Sequence, residues 1–154
     1  MKPVRILFVC LGNICRSPLA EGILRHLSLG YPVDVDSAGT GGWHIGDLPD
    51  PRSIAVARRH GIDIAGQRGR KIDAGDFATF DLIFAMDRNN LATLRALAPP
   101  ATQHKLHLFL SYRLGVERDV PDPYYGCPEG FDTVYNMLFE GCSSLIGRLE
   151  EIGS

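Results

Sequence analysis

The stretch Val4-Arg5-Ile6-Leu7-Phe8-Val9-Cys10-Leu11-Gly12-Asn13-Ile14-Cys15-Arg16-Ser17-Pro18-Leu19 contains three kinds of chain in succession. Val4 to Val9 is short and almost continuously apolar, which is how a parallel strand buried on both faces reads. Ser17 to Leu29 reads as a helix, with Leu19, Ile23, Leu24 and Leu27 forming an apolar stripe. Ser17 is placed to cap it, and Pro18 suits its first turn. Between strand and helix lies a short loop that begins at Cys10 and ends at Arg16.

Outward from this unit the alternation repeats. Val33 to Asp36 reads as a second strand, running into the loop Ser37-Ala38-Gly39-Thr40-Gly41-Gly42. Arg52 to His60 is a helix stopped by Gly61. Asp81 to Met86 is another buried strand, Asn89 to Leu97 a helix ended by Pro99 and Pro100, and Lys105 to Leu110 the last strand. A loop rich in Pro and Tyr follows, Pro121 to Pro128. Phe131 to Leu149 then carries Phe131, Val134, Tyr135, Leu138, Phe139, Cys142, Leu145, Ile146 and Leu149 at helical spacing. The order β-α-β-α-β-α-β-α predicts an α/β fold, a doubly wound parallel sheet with helices on both faces. Ligands of such sheets bind beyond the carboxyl ends of the strands, here the loops after Val9, Asp36, Met86 and Leu110. At 154 residues, with no linker, repeat or low-complexity tract, the chain reads as one domain over 1–154.

A hydrophobic fraction of 45% and a charged fraction of 22% fit a soluble globular protein. The net charge of -2 gives no general field for nucleic acid or an anionic membrane, so neither is expected as a partner. Arg68, Arg70 and Lys71 cluster locally and read as a solvated loop. No apolar run approaches the roughly 20 residues that span a bilayer. The first apolar stretch leads straight into Gly12, Asn13 and Arg16, unlike a signal peptide, so a cytoplasmic protein is expected. Cys10, Cys15, Cys127 and Cys142 imply no disulfide framework in a reducing compartment. With no C-x2-C pair and no nearby H-x3-H, they imply no zinc or other metal site either.

The loop fits C-x5-R-S. A loop of this length can curl so that successive backbone N–H groups face one centre, a nest for a tetrahedral oxyanion. The helix behind it adds the positive end of its dipole. Arg16 closes the ring with a fork that matches two phosphoryl oxygens. Cys10 then lies beneath the phosphorus for in-line attack, in a field that favours a thiolate. Ser17 can donate its hydroxyl to the sulfur and ease its departure. Gly12 supplies backbone freedom, and Asn13 tolerates a left-handed conformation and can brace the loop. Cys10 at a strand end and Arg16 on a surface acid is the plainer reading. The placement between strand and helix, with Ser17 directly after Arg16, favours chemistry.

Displacing an aryl or alkyl oxygen requires a proton for the leaving group. Asp122, bracketed by Pro121 and Pro123, is the candidate acid, and Tyr124 and Tyr125 could wall a slot for an aromatic ring. The same residues also read as a plain D-P turn with surface tyrosines, and chemistry alone does not choose between the two.

The motifs together resemble the low-molecular-weight protein tyrosine phosphatases. They are V-C-L-G-N-I-C-R-S-P-L-A-E-G at Val9 to Gly22, D-S-A-G-T-G-G-W-H at Asp36 to His44, D-P-R-S at Asp50 to Ser53, D-L-I-F-A-M-D at Asp81 to Asp87, and P-D-P-Y-Y at Pro121 to Tyr125. They occur in order along essentially the whole chain. The resemblance implies a four-stranded parallel twisted sheet flanked by helices on both faces. It implies phosphotyrosine and small aryl phosphates as substrates and a phosphocysteine intermediate. Cys10 would be the nucleophile, Arg16 the phosphate clamp and Asp122 the proton donor, with no cofactor. Asn13, Ser17, Ser37 and Asp87 would brace the phosphate loop, although locally Ser37 reads as a loop residue and Asp87 as a helix cap. Leu11, Ile14, Trp43, Tyr124 and Tyr125 would line the slot, although a lone tryptophan reads first as core.

The resemblance also implies phosphotyrosine proteins as substrates, with a cognate tyrosine kinase as a candidate partner; a monomer is the simplest expectation. Where relatives carry a loop-bracing histidine, this chain has Gln67, which cannot carry charge. Cys15 reads either as a small buried side chain or, by the resemblance, as a redox partner that caps Cys10 under oxidation. Two other readings compete. An arsenate reductase on the same fold would need further cysteines; Cys142 lies on an apolar stripe and reads as core, while Cys127 sits near Asp122. A non-catalytic phosphotyrosine-binding module would need the nest and Arg16 but neither thiol nor acid.

Overall fold

The computed structural model describes residues 3–115, 117–126 and 129–153. Four parallel strands form one sheet: β1 (Val4–Cys10), β2 (Val33–Gly39), β3 (Leu82–Ala85) and β4 (Leu106–Leu108), in the order β2-β1-β3-β4. The helices are α1 (Arg16–Leu27), α2 (Pro51–Arg59), α3 (Asp76–Thr79), α4 (Arg88–Leu97), α5 (Phe109–Leu114) and α6 (Glu129–Gly153). This is the predicted α/β sheet with helices on both faces. Among the described residues no helix is long and apolar enough to cross a membrane.

β1 shows why its sequence is apolar without alternation. Ile6, Phe8 and Cys10 belong to the core beneath α1, α2, α5 and α6, while Leu7 and Val9 belong to the core beneath α3 and α4. From Ile6 onward both faces of this central strand are covered, and every position there is apolar. On α1, Leu19, Ile23 and Leu24 are fully buried, each burial contributing about 1.5–3 kcal/mol. Gly61, at φ 77°, turns the chain after α2 in a conformation that a side chain would strain.

Three expectations need correction. Ser17 does not cap α1: the cap position is Cys15, without a side-chain bond, and Ser17 lies within the helix. Leu29 is outside α1, which ends at Leu27, and is largely exposed. The last strand is shorter than Lys105 to Leu110. Pro100–Lys105 forms a 3-10 turn before it, and after Leu108 the chain becomes α5, where Phe109 stacks edge-on against Phe8 and Phe84, with ring centroids at 5.2 and 5.4 Å. An apolar Leu-His-Leu-Phe-Leu run fits either structure, and aromatic packing on the sheet decides it.

Candidate active site

Because β1 is central, with β2 on one side and β3 on the other, the chain reverses its winding there, and a crevice opens beyond the ends of β1 and β3. Three segments meet in it: the loop from Cys10 to Arg16, Met86-Asp87 after β3, and Val120 to Tyr125. The Val120 N–H donates to the Met86 carbonyl at 2.8 Å, tying the third segment to the second. Arg16 ties in the first. Its Nη1 donates to Asp87 Oδ2 at 2.6 Å and to the Val120 carbonyl at 2.9 Å, and its Nη2 lies 3.6 Å from Asp122 Oδ2. Arg16 is only 2% exposed. Burial opposes its charge, but Cys10, Asp87 and Asp122 outweigh it and raise the guanidinium pKa.

The loop itself has a one-sided hydrogen-bond pattern. Its carbonyls are bonded to flanking segments: Cys10 O accepts from Thr40 N–H, Leu11 O from Gly41 N–H, Ile14 O from Asp50 N–H, and Cys15 O from the Ser53 hydroxyl. Among the described residues, none of the backbone N–H groups of Leu11, Gly12, Asn13, Ile14 and Cys15 has a partner. A run of unpaired N–H groups along one short loop is the pattern of an anion nest. Asn13 is the left-handed residue, at φ 58°, whereas Gly12 is not at positive φ. A Cβ at Gly12 would stand 3.0 Å from the His44 ring, a tight contact that the ring would relieve only by shifting a few tenths of an ångström.

Behind the loop, Asn13 Oδ1 accepts from the Arg70 N–H at 2.9 Å, and its Nδ2 donates to Ser17 Oγ at 2.8 Å and Ser37 Oγ at 3.0 Å. Ser17 Oγ lies 3.0 Å from Cys10 Sγ. Asp87 fulfils both of its readings, since Oδ1 caps α4 through the Asn90 N–H while Oδ2 holds Arg16. Arg70 departs from the solvated-loop expectation. Its guanidinium bridges Asp36 and Asp76 at 3.0–3.1 Å.

A cavity of about 340 Å³ opens over the loop. Cys10, Leu11, Gly12, Ile14, Cys15 and Arg16 form its floor, and Trp43, Asp122, Tyr124 and Tyr125 its walls. Trp43, at 72% exposed, is no core residue. Asn13, Ser17, Ser37 and Asp87 stand behind the floor. Asp122 Oδ1 accepts from the Tyr124 N–H at 3.1 Å, an Asx turn that leaves Oδ2 on the Arg16 side. Thus the D-P turn and the candidate acid are the same structure.

Several contributors were not singled out by sequence. Asp50 caps α2 and chelates Arg52, which donates to the Tyr124 carbonyl at 2.9 Å, so this helix start links the nest to the tyrosine wall. Burial pushes the Asp50 carboxyl up, but Arg52 pulls harder and holds it below its usual range. The Asp-Pro helix start was the available signal. His44 joins the pocket wall, its Nδ1 3.0 Å from Asp47 Oδ2. Glu21 accepts from the Ser37 hydroxyl at 2.6 Å. Gln67 Nε2 donates to the Pro18 carbonyl at 3.0 Å, while its Oε1 is buried without a partner among the described residues. Cys142 is fully buried against α1. Cys127 lies outside the described residues. Among those described, no group of three or more His, Cys, Asp or Glu could hold a metal ion.

A family model described as low molecular weight phosphotyrosine protein phosphatase matches residues 5–153. The low molecular weight phosphotyrosine protein phosphatase of Schizosaccharomyces pombe is 43% identical over 145 residues, covering 90% of this chain and 92% of that one. The crystal structure of YfkJ from Bacillus subtilis superposes with a TM-score of 0.91 at 38% identity, covering 100% of this chain and 99% of that one. Vibrio vulnificus Wzb in complex with benzylphosphonate gives 0.86 at 30% identity, covering 94% and 98%. Sequence, fold and pocket agree, and the chain belongs to the low molecular weight phosphotyrosine protein phosphatase family.

Proposed function

We propose that the chain hydrolyses phosphotyrosine in two displacements through a phosphocysteine on Cys10. The observation that carries this reading is the run of unpaired N–H groups from Leu11 to Cys15 around a thiol, with Arg16 beside it. The Cys10 thiolate attacks phosphorus; the S–P bond forms as the P–O bond to the tyrosyl oxygen breaks, and Asp122 gives that oxygen its proton. Asp122, now a carboxylate, takes a proton from water as the water oxygen attacks phosphorus and the S–P bond breaks. The Ser17 hydroxyl donates to the departing sulfur. The nest and Arg16 stabilise the equatorial oxygens in both steps. Trp43, Tyr124 and Tyr125 favour an aromatic leaving group. Benzylphosphonate, the ligand of the Wzb relative, is likewise an aromatic ring carrying a phosphoryl-like group.

The test compares phosphotyrosine, phosphoserine and arsenate in the parent and in Asp122→Ala. Phosphotyrosine is expected to be the preferred substrate, and Asp122→Ala to lower its kcat about 10²–10³-fold. The loss should shrink for an aryl phosphate whose phenol leaves readily without a proton. An equal loss for both esters would remove Asp122 from the acid role. Thioredoxin-coupled arsenate turnover exceeding aryl phosphate hydrolysis would make the chain a reductase. The burial of Cys142 in the core argues against its serving as a relay thiol.

Cys15 is the proposed redox partner of Cys10. Burial first, then Asp50 and Cys10, push its thiol up to about 12. Exchange proceeds through the thiolate, so Cys15 attack on an oxidised Cys10 is expected to accelerate about tenfold per pH unit between pH 7 and 9. Mass spectrometry of peroxide-treated enzyme would follow the disulfide; a rate flat in pH, or equal recovery of Cys15→Ala, would discard the role.

A further inference from the structure

The first turn of α2 stands outside the cavity, beside one of its walls. The Asp50 N–H donates to the Ile14 carbonyl at 2.7 Å and the Ser53 hydroxyl to the Cys15 carbonyl at 3.3 Å, so this turn is fastened to the back of the nest. Arg52 extends from it towards the tyrosines. Its Nε and Nη2 grip the Asp50 carboxylate, each at 3.0 Å, and Nη2 also donates to the Tyr124 carbonyl at 2.9 Å. The guanidinium carbon lies 5.6 Å from the centroid of the Tyr124 ring and 4.6 Å from that of Phe131, both within cation–π range. Phe131 is buried in α6 and gives the guanidinium a fixed backing.

Little else ties Tyr124 to the body of the protein. Its N–H goes to Asp122, and the Gly126 N–H to the Pro123 carbonyl, both within one loop. Among the described residues, the bond from Arg52 is the one hydrogen bond that residues 123–126 make to another element. The Tyr124 ring is exposed and meets the still more exposed Tyr125 edge-on, with centroids at 4.8 Å. An exposed ring pays conformational entropy when a ligand immobilises it, unless a neighbour already holds it in place. Arg52 is that neighbour, and through Asp50 it refers the ring to the nest.

We propose that Arg52 is a positioning residue for aromatic ligands, holding the Tyr124 ring at a set distance from the phosphate loop so that one ligand meets nest and wall together. The proposal rests on the reading of that loop as the phosphoryl site. Arg52 does not line the cavity, so it acts through Tyr124 and not by touching the ligand. An arginine suits the place because one planar group grips a carboxylate by its edge while bonding a carbonyl and packing against rings.

The experiment is calorimetric binding of two probes. Inorganic phosphate fills the nest alone; benzylphosphonate adds an aromatic ring and cannot be hydrolysed. Parent, Arg52→Met, Arg52→Lys, Tyr124→Leu and Arg52→Met/Tyr124→Leu are compared. Arg52→Met is expected to weaken benzylphosphonate about fivefold, the loss of one preorganised side chain, and phosphate by less than about twofold. Arg52→Lys should weaken benzylphosphonate in the same direction, since an ammonium cannot grip Asp50 by an edge and hold the Tyr124 carbonyl as well. Once the Tyr124 ring is gone, adding Arg52→Met should change benzylphosphonate affinity by less than about twofold. The α2 cap from the Arg52 N–H to Asp50 Oδ1 is a backbone bond that both substitutions keep. An unfolded fraction lowers the stoichiometry and not the affinity, so either variant serves. Equal weakening of both probes would make Arg52 a brace of the nest and overturn the proposal. So would parent-like benzylphosphonate binding in the two Arg52 variants, or a full fivefold loss in the Tyr124→Leu background. Binding is read without turnover. A failure here leaves the phosphatase reading intact, whereas failure of that reading would appear as turnover in Cys10→Ser.

Discussion

Cys10→Ser is expected to yield a folded protein that binds inorganic phosphate and hydrolyses no phosphotyrosine. In the proposed mechanism phosphate is held by the backbone N–H groups of Leu11 to Cys15 and by Arg16, none of which the substitution alters. The site of substitution is nearly fully buried, and a serine hydroxyl can keep a bond to Ser17, so the loop keeps its shape. What disappears is the thiolate: an alcohol stays protonated at neutral pH, and the Asp122 carboxyl sits on the Arg16 side of the pocket with its Oδ1 bonded to Tyr124. Losing a covalent nucleophile costs at least about 10⁴-fold in kcat. Calorimetry with phosphate and turnover of an aryl phosphate measure the two halves separately. Turnover within tenfold of the parent would end the phosphocysteine mechanism. Lost phosphate binding in a folded variant would instead place the sulfur in the binding site proper.

The part of the site legible in the sequence is the part that is local. Cys10, Arg16 and Ser17 lie within eight residues, and it is their placement between an apolar run and an amphipathic one, not the spacing alone, that favours the proposed chemistry. Trp43 was harder. A lone tryptophan reads as core, and only the motif around it pointed to the pocket rim where it stands. Glu21 was illegible for a physical reason. Charged residues on a helix normally face water, and nothing near Glu21 announces that Ser37, at the end of another strand, will be packed against it. Arg70 was misread in the same way, since Asp36 and Asp76 reach it only after β2 and α3 are in place. Ser17 shows the converse error. Ser before Pro is a good cap signal, but the helix begins one residue earlier, and the hydroxyl is drawn inward to Asn13 and Cys10. Helix and strand patterns are set by neighbours in sequence, whereas bracing is set by which segments the sheet order brings together.

Arg16→Lys tests whether the guanidinium is needed as a fork or only as a charge. The side chain is out of water and has fixed partners: Asp87 and the Val120 carbonyl on Nη1, and Asp122 facing Nη2. An ammonium can satisfy Asp87, but it cannot simultaneously hold Val120 and present two parallel donors to a phosphoryl group. kcat/KM for phosphotyrosine is expected to fall about 10²–10³-fold, the usual loss for a transition-state oxyanion donor. Stability should fall by about 1–3 kcal/mol through the Val120 carbonyl left unpaired. Arg16→Met removes the charge as well and leaves Asp87 without its cation, for which about 3–5 kcal/mol is expected. Urea unfolding gives these values directly. The two effects have different origins, and Asp87→Asn separates them. In Arg16→Met/Asp87→Asn the buried carboxylate is gone, so much of the stability should return while activity stays lost. Arg16→Lys turning over within fivefold of the parent would reduce Arg16 to a structural cation holding the loop to β3. Recovery of activity in Arg16→Met/Asp87→Asn would lead to the same conclusion. If neither is seen, the same guanidinium both closes the nest and ties the Val120–Tyr125 loop over it, and the acid at Asp122 is in place because the clamp is.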